Sequence, residues 1–204
     1  RFGRSTTLDC QVDMDGEPGN DELGRMPDAT LAMGEIERVF INRLGYTHRE
    51  ITALMGAHTL GRVKASNSGF QGASGTDSAP WVREDAARNG GGTNGYYDVM
   101  VNRPWNREVN DNSLPQWVEP NAGTMMLNTD MALAFEIGTD LTVNTETCEV
   151  RGGAKTINQC ELGPGGGRCE CDESDVPTVG FVFEYIASQE AWLADFGPAM
   201  QKMT

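Results

Sequence analysis

The sequence predicts a mainly α protein with long irregular connections, on three observations. Apolar residues recur at helical spacing in three stretches, 28–44, 51–58 and 181–203. Start and stop signals bracket them: Thr47 and Glu50 have capping-box spacing before the second stretch, and Gly45 and Gly61 follow the first and second. The segments between are rich in Gly, Ser and Thr and carry no helical period, the longest being residues 138–178. A chain of 204 residues, 38% hydrophobic and 23% charged, has the composition of one globular domain with a sizeable core, or of two small ones.

In chain order, residues 1–24 form an acidic loop with Asp9, Asp13, Asp15, Glu17, Asp21 and Glu22 among glycines and a proline. The Asp13-x-Asp15-Gly16 piece shares part of a calcium-loop pattern, but the leading Asp and closing Glu are not at the required offsets. A helix is expected from Asp28 to about Leu44, burying Leu31, Ile36, Val39, Phe40 and Leu44. A short turn leads to a second helix that puts Ile51, Leu54, Met55 and His58 on one face and packs against the first. A histidine on an apolar face reads as a satisfied core residue or as a ligand, and the spacing leaves both open. Residues 62–95 are loop-rich, Thr93 to Trp105 is a short helix, and Trp105 to Gly123 has a hairpin pattern turning at Pro120–Gly123. Asn128-Thr129-Asp130 reads as a helix N-cap, and residues 181–203 as two short helices with Ser188 as the second N-cap.

The formal charge of −14 argues against nucleic acid and anionic membrane surfaces and favours a cationic partner or solubility. No run of apolar residues is long enough for a transmembrane helix. The chain opens without Met, so a mature or partial chain is expected. Cys148, Cys160, Cys169 and Cys171 crowd into the Gly-rich stretch, apart from Cys10. They suit two disulfides or a four-thiolate zinc site. The spacing matches no common zinc pattern, which favours disulfides and an oxidising compartment, an organelle included, over the reducing cytosol.

The stretch Arg49 to Arg62, with Met55-Gly56-Ala57-His58-Thr59-Leu60-Gly61, resembles the proximal-histidine motif of the plant, fungal and bacterial haem peroxidase superfamily, in its cytochrome c peroxidase and ascorbate peroxidase branch. Other segments match in the same order: Arg1–Arg4, Gly24–Ala29, Ser68–Phe70 with Gly72, Gln116–Asp130, and Glu184–Phe196. The resemblance implies a haem-peroxidase-like helical fold over residues 1–137 and 179–204, with 138–178 as a Cys- and Gly-rich insertion. It implies haem b, with His58 as the iron ligand and Thr59, Gly61, Arg62, Lys64, Pro27 and Ala29 around the cofactor. It also implies Asp130 as the carboxylate that orients His58, the alternative being a plain helix cap, and Trp81 as a ring beside both.

The sequence also departs from the family pattern. An extra stretch, Ala73 to Ala79, separates Trp81 from Gly72, so Trp81 reads equally as loop packing. Asn67 stands where ascorbate-using members have an Arg, and Lys64 where relatives have a His near a propionate. Beyond Thr59 the ligands of a cation site are not evident, so no separate cation is expected. The family's peroxide-cleaving His and Arg would lie before residue 1, upstream or on another chain. Two functions are therefore carried forward. One is a haem peroxidase that reduces hydrogen peroxide and takes electrons from a basic protein. The other is a non-catalytic, peroxidase-like subunit of a larger assembly.

Overall fold

A computed structural model describes residues 26–72, 75–80, 94–119, 123–135, 137, 146–149 and 176–203, the 146–149 segment by its backbone. Trp81, Cys10, Cys160, Cys169 and Cys171 lie outside these residues, as does the side chain of Cys148, so the proximal-tryptophan, disulfide and zinc readings do too.

Helix α1 (Met33–Ile36) continues as a π-type helix over Glu37–Arg43. Ile36, Val39 and Phe40 are buried as expected, but Leu44 is 42% exposed. The wider π turn rotates the end of the stripe away from the core, which is why a 3.6-residue period misplaces Leu44. The helix also begins later than the expected Asp28, since residues 28–31 form a turn closed by Leu31 N–H to the Asp28 carbonyl.

Helix α2 (His48–Met55) opens on the expected capping box. The Glu50 N–H donates to the Thr47 hydroxyl, and the Thr47 N–H donates to the Glu50 carboxylate at 2.8 Å. Its end differs from expectation. At Gly56–Thr59 the helix tightens to 3-10 form, so His58 sits in that turn and not on the stripe of Ile51 and Leu54. Tightening releases carbonyls that a continuing α-helix would pair. Tyr97 Oη donates to the Thr52 carbonyl at 2.6 Å, and Trp192 Nε1 to the Ala53 carbonyl at 2.9 Å. Gly56 makes both possible: a Cβ there would lie 2.5 Å from Trp192 Nε1 and from Tyr97 Oη.

Strand β1 (Arg62–Lys64) pairs antiparallel with β2 (Ser78–Pro80), and α3 (Ala65–Ser68) lies between them in sequence. Helix α4 (Gly95–Asn102) is the expected short helix, with Tyr96 and Tyr97 wholly buried. β3 (Pro104–Val109) and β4 (Pro115–Val118) form the hairpin, but it turns at residues 110–114, where the Asn110 side chain takes the N–H groups of Asn112 and Leu114. β4 also pairs antiparallel with β5 (Met125–Met126), while residues 120–122 of the turn expected between them lie outside the described residues. A fourth strand, β6 (Glu146–Glu149), joins the far edge to give the order β5-β4-β3-β6, so part of the expected insertion pairs with the sheet.

Short helix α5 (Asn128–Met131) follows, then α6 (Val179–Ala187) and α7 (Gln189–Met203), with Ser188 capping α7 through the Ala191 N–H. α7 is long, not short, and accommodates Pro198. The main core gathers α1, α2, α4, α6 and α7 around Ile51, Tyr97, Trp105, Phe135 and Trp192. A smaller cluster of Val63, Phe70, Ala79, Val118, Met125 and Leu127 ties the two sheets together.

Candidate functional site

The site forms where the end of α2 meets α5. Nδ1 of His58 lies 2.7 Å from Oδ1 of Asp130, across 72 residues of sequence. Asp130 is wholly buried, while the His58 side chain is 31% exposed. A buried carboxylate must be paired or hydrogen-bonded to remain charged. Here Oδ1 also accepts from Tyr96 Oη at 2.7 Å, and Oδ2 accepts the Leu127 N–H at 2.8 Å. Asp130 is therefore not the N-cap: it sits in the first turn and reaches back to the residue that precedes the helix. Asn128, also buried, fixes that turn by accepting from Trp117 Nε1 at 2.8 Å and donating to the Thr30 carbonyl at 2.6 Å.

Burial alone would lower the His58 pKa, but the Asp130 charge and hydrogen bond outweigh it and hold the imidazole above its ordinary value. With Asp130 ionised, the proton stays on Nδ1. That is the tautomer in which Nε2 carries the lone pair a metal ion takes.

The remaining expected residues fall into two groups. Thr59 is buried, and Gly61, at φ +93°, turns the chain from the 3-10 turn into β1. Arg62 and Lys64 flank buried Val63, so both cations leave the same face of the strand. Ala29, Arg62 and Lys64 line a cavity of about 510 Å³ with Val63, Asn67, Ser68, Phe70 and Leu127. Pro27 is half-buried in the segment before Ala29. Leu60, beside the histidine, is 71% exposed. Haem needs a donor for its iron, apolar contact and cations for its carboxylates, and an oriented imidazole, the exposed Leu60 two residues on and the cations Arg62 and Lys64 are residue types that fit those needs. Among the described residues, no cluster of three His, Cys, Asp or Glu side chains could hold a bare metal ion.

Tyr96 is the functional residue that sequence reasoning misses. It donates a hydrogen bond to Asp130 at 2.7 Å and its ring packs edge-on to that of His58. In sequence it is one more apolar residue on a short helix, and its contact is made across 34 residues.

A family model described as peroxidase matches residues 4–146, more than half of the chain. The chain belongs to the haem peroxidase superfamily. Among its relatives within the superfamily, a mitochondrial cytochrome c peroxidase of Candida glabrata is 39% identical over 130 residues, 64% of this chain and 31% of that protein. One from Yarrowia lipolytica is 37% identical over 114 residues, 55% and 30% of the two chains. One from Cryptococcus neoformans is 34% identical over 134 residues, 65% and 30%. This peroxidase-family chain thus spans about a third of the length of the relatives it matches.

Proposed function

We propose that this chain is the proximal half of a haem peroxidase, with His58 as the axial ligand of haem b and Asp130 as the residue that positions it. The observation that carries the reading is the buried Asp130 carboxylate, which engages His58 at Nδ1 while Tyr96 and Leu127 hold it in place. Bound haem would supply an iron centre that takes two oxidising equivalents from hydrogen peroxide. The chain's own part is to hold the imidazole oriented, with its Nδ1 proton against Asp130, and rich in electron density. Arg62 and Lys64 would pair with the haem carboxylates. The acidic balance of −14 suits a basic protein as electron donor, which is how the donor of the cytochrome c peroxidase relatives enters the proposal. An organelle is the proposed location, as in the relatives named mitochondrial.

Haem titration of the full-length protein tests this. The expected result is a Soret band at one haem per chain that is lost or shifted in His58→Ala. A spectrum without haem absorbance, or one unchanged in His58→Ala, would reject the assignment and favour a non-catalytic subunit.

A further inference from the structure

Aromatic rings run in contact from the proposed iron ligand to the face shared by α2, α6 and α7. The ring centres of His58 and Tyr96 are 6.1 Å apart, and those of Tyr96 and Tyr97 5.1 Å. Tyr97 then branches to Tyr185 at 5.3 Å and to Trp192 at 6.3 Å. These spacings are those of rings in direct contact. Packing explains the rings but not the partners of their polar atoms. A phenol that loses an electron becomes a strong acid, so it needs a base within reach. Tyr97 donates to the Thr52 carbonyl and Trp192 Nε1 to the Ala53 carbonyl, and peptide carbonyls do not accept a proton. Tyr96 donates to Asp130, but that carboxylate is wholly buried, so a proton left on it has no solvent face to leave by. Tyr185 differs: its hydroxyl lies 2.8 Å from Oδ2 of Asp195, which also accepts from Arg49 Nη1 at 2.7 Å, and this carboxylate has a 29% exposed side chain.

Resting on the haem-peroxidase reading, we propose that Tyr185 is a redox-active residue, the electron-donating end of a relay through Tyr97 and Tyr96. One electron leaves Tyr185 and passes inward to the haem that peroxide has oxidised, which is reduced by one unit. The Tyr185 O–H bond breaks, and the proton forms an O–H bond at Oδ2 of Asp195. A neutral phenoxyl radical remains, so no unpaired charge is left in the core. A one-electron reductant from solution refills it, and the proton returns from Asp195 to the phenol oxygen. Burial first, and then the Asp195 hydrogen bond, push the reduced phenol well above its ordinary pKa, so it keeps its proton until the electron leaves. Arg49 bonds both Asp195 and Glu184, and all three side chains reach solvent, giving the proton and the reductant a common face.

The test is freeze-quench electron paramagnetic resonance of the full-length, haem-loaded protein after one equivalent of hydrogen peroxide, with ring-deuterated tyrosine to identify tyrosyl signal. Tyr185→Phe keeps the ring and is expected to lose the tyrosyl signal. Asp195→Asn keeps the tyrosine but removes the base, and the same loss is expected. Trp192→Phe, on the side branch, should retain it. A tyrosyl signal unchanged in both Tyr185→Phe and Asp195→Asn overturns the relay, as does the absence of any tyrosyl signal in the parent. If Tyr185→Phe alters the circular dichroism or the haem band, Asp195→Asn decides. A parent without a haem band ends the haem reading and the relay together. A parent that binds haem and consumes peroxide with a Tyr185-independent radical ends the relay alone.

Discussion

At the scale of single residues, Asp130 accepts from Tyr96 and the Leu127 N–H and engages Nδ1 of His58. Asp130→Asn would keep the side chain's shape and remove the charge that fixes the His58 tautomer. Loss of such a partner typically weakens metal affinity by about 10–100-fold. A fall of that size in haem affinity is expected on titration, and unchanged affinity would show that His58 is oriented without the carboxylate. The pairing of the two residues was legible only through the family resemblance of the segments around them, since the spacing at His58 left a core residue or a ligand open and nothing local joins positions 72 residues apart. Tyr96 was not, since an apolar helix stripe gives no sign that one of its tyrosines reaches a buried acid. Nor was Leu44, because periodicity cannot anticipate where a helix widens.

Among the elements, the end of α2 decides where His58 stands. Thr47 and Glu50 mark the start of that helix in the sequence, as local hydrogen bonds between near neighbours do. Its conversion to a 3-10 turn has no such mark, because the groups that stabilise it come from α4 and α7. Gly56 is the point of contact. In Gly56→Ala the new methyl must displace Trp192 and Tyr97. Overpacking of this kind costs about 1–3 kcal/mol. Urea unfolding should show that loss, and haem uptake should fall with it because His58 is two residues away. A variant as stable as the parent would mean that the two rings relax freely. The hairpin of β3 and β4 was legible as a pattern, but its turn was misplaced. Pro120 and Gly123 are conspicuous turn residues, whereas the turn at 110–114 rests on one asparagine side chain.

Over the whole molecule, charges in the first turn of α2 clasp it to α6 and α7. Arg49 bonds Glu184 and Asp195, and Lys202 Nζ lies 3.0 Å from Glu50 while also donating to the Gly45 carbonyl at 2.7 Å. Burial would raise the Glu50 pKa, but the Thr47 N–H, Lys202 and the Thr47 hydroxyl together hold it below its ordinary value. A carboxyl depressed on folding stabilises the fold above its unfolded pKa, about 4.3 for Glu, and that contribution is lost as pH falls through the folded value. The urea midpoint should therefore drop as pH is lowered from about 4.3, and Glu50→Gln should reduce that part of the slope. An identical slope in Glu50→Gln would assign the acid sensitivity to other carboxylates. Mainly helical architecture was legible at this scale because composition and periodicity are properties of the whole chain. The clasp was not, since it joins positions more than a hundred residues apart. The two oxygens of Asp130 differ in the same respect. Oδ2 closes a turn three residues long, and Oδ1 closes a loop of 72 residues. Loop-closure entropy favours the first. In refolding, the acid is thus aimed before the imidazole arrives, and we expect haem capture to lag the recovery of helical signal. Simultaneous recovery in stopped-flow measurements would show that the long loop closes as early as the short turn.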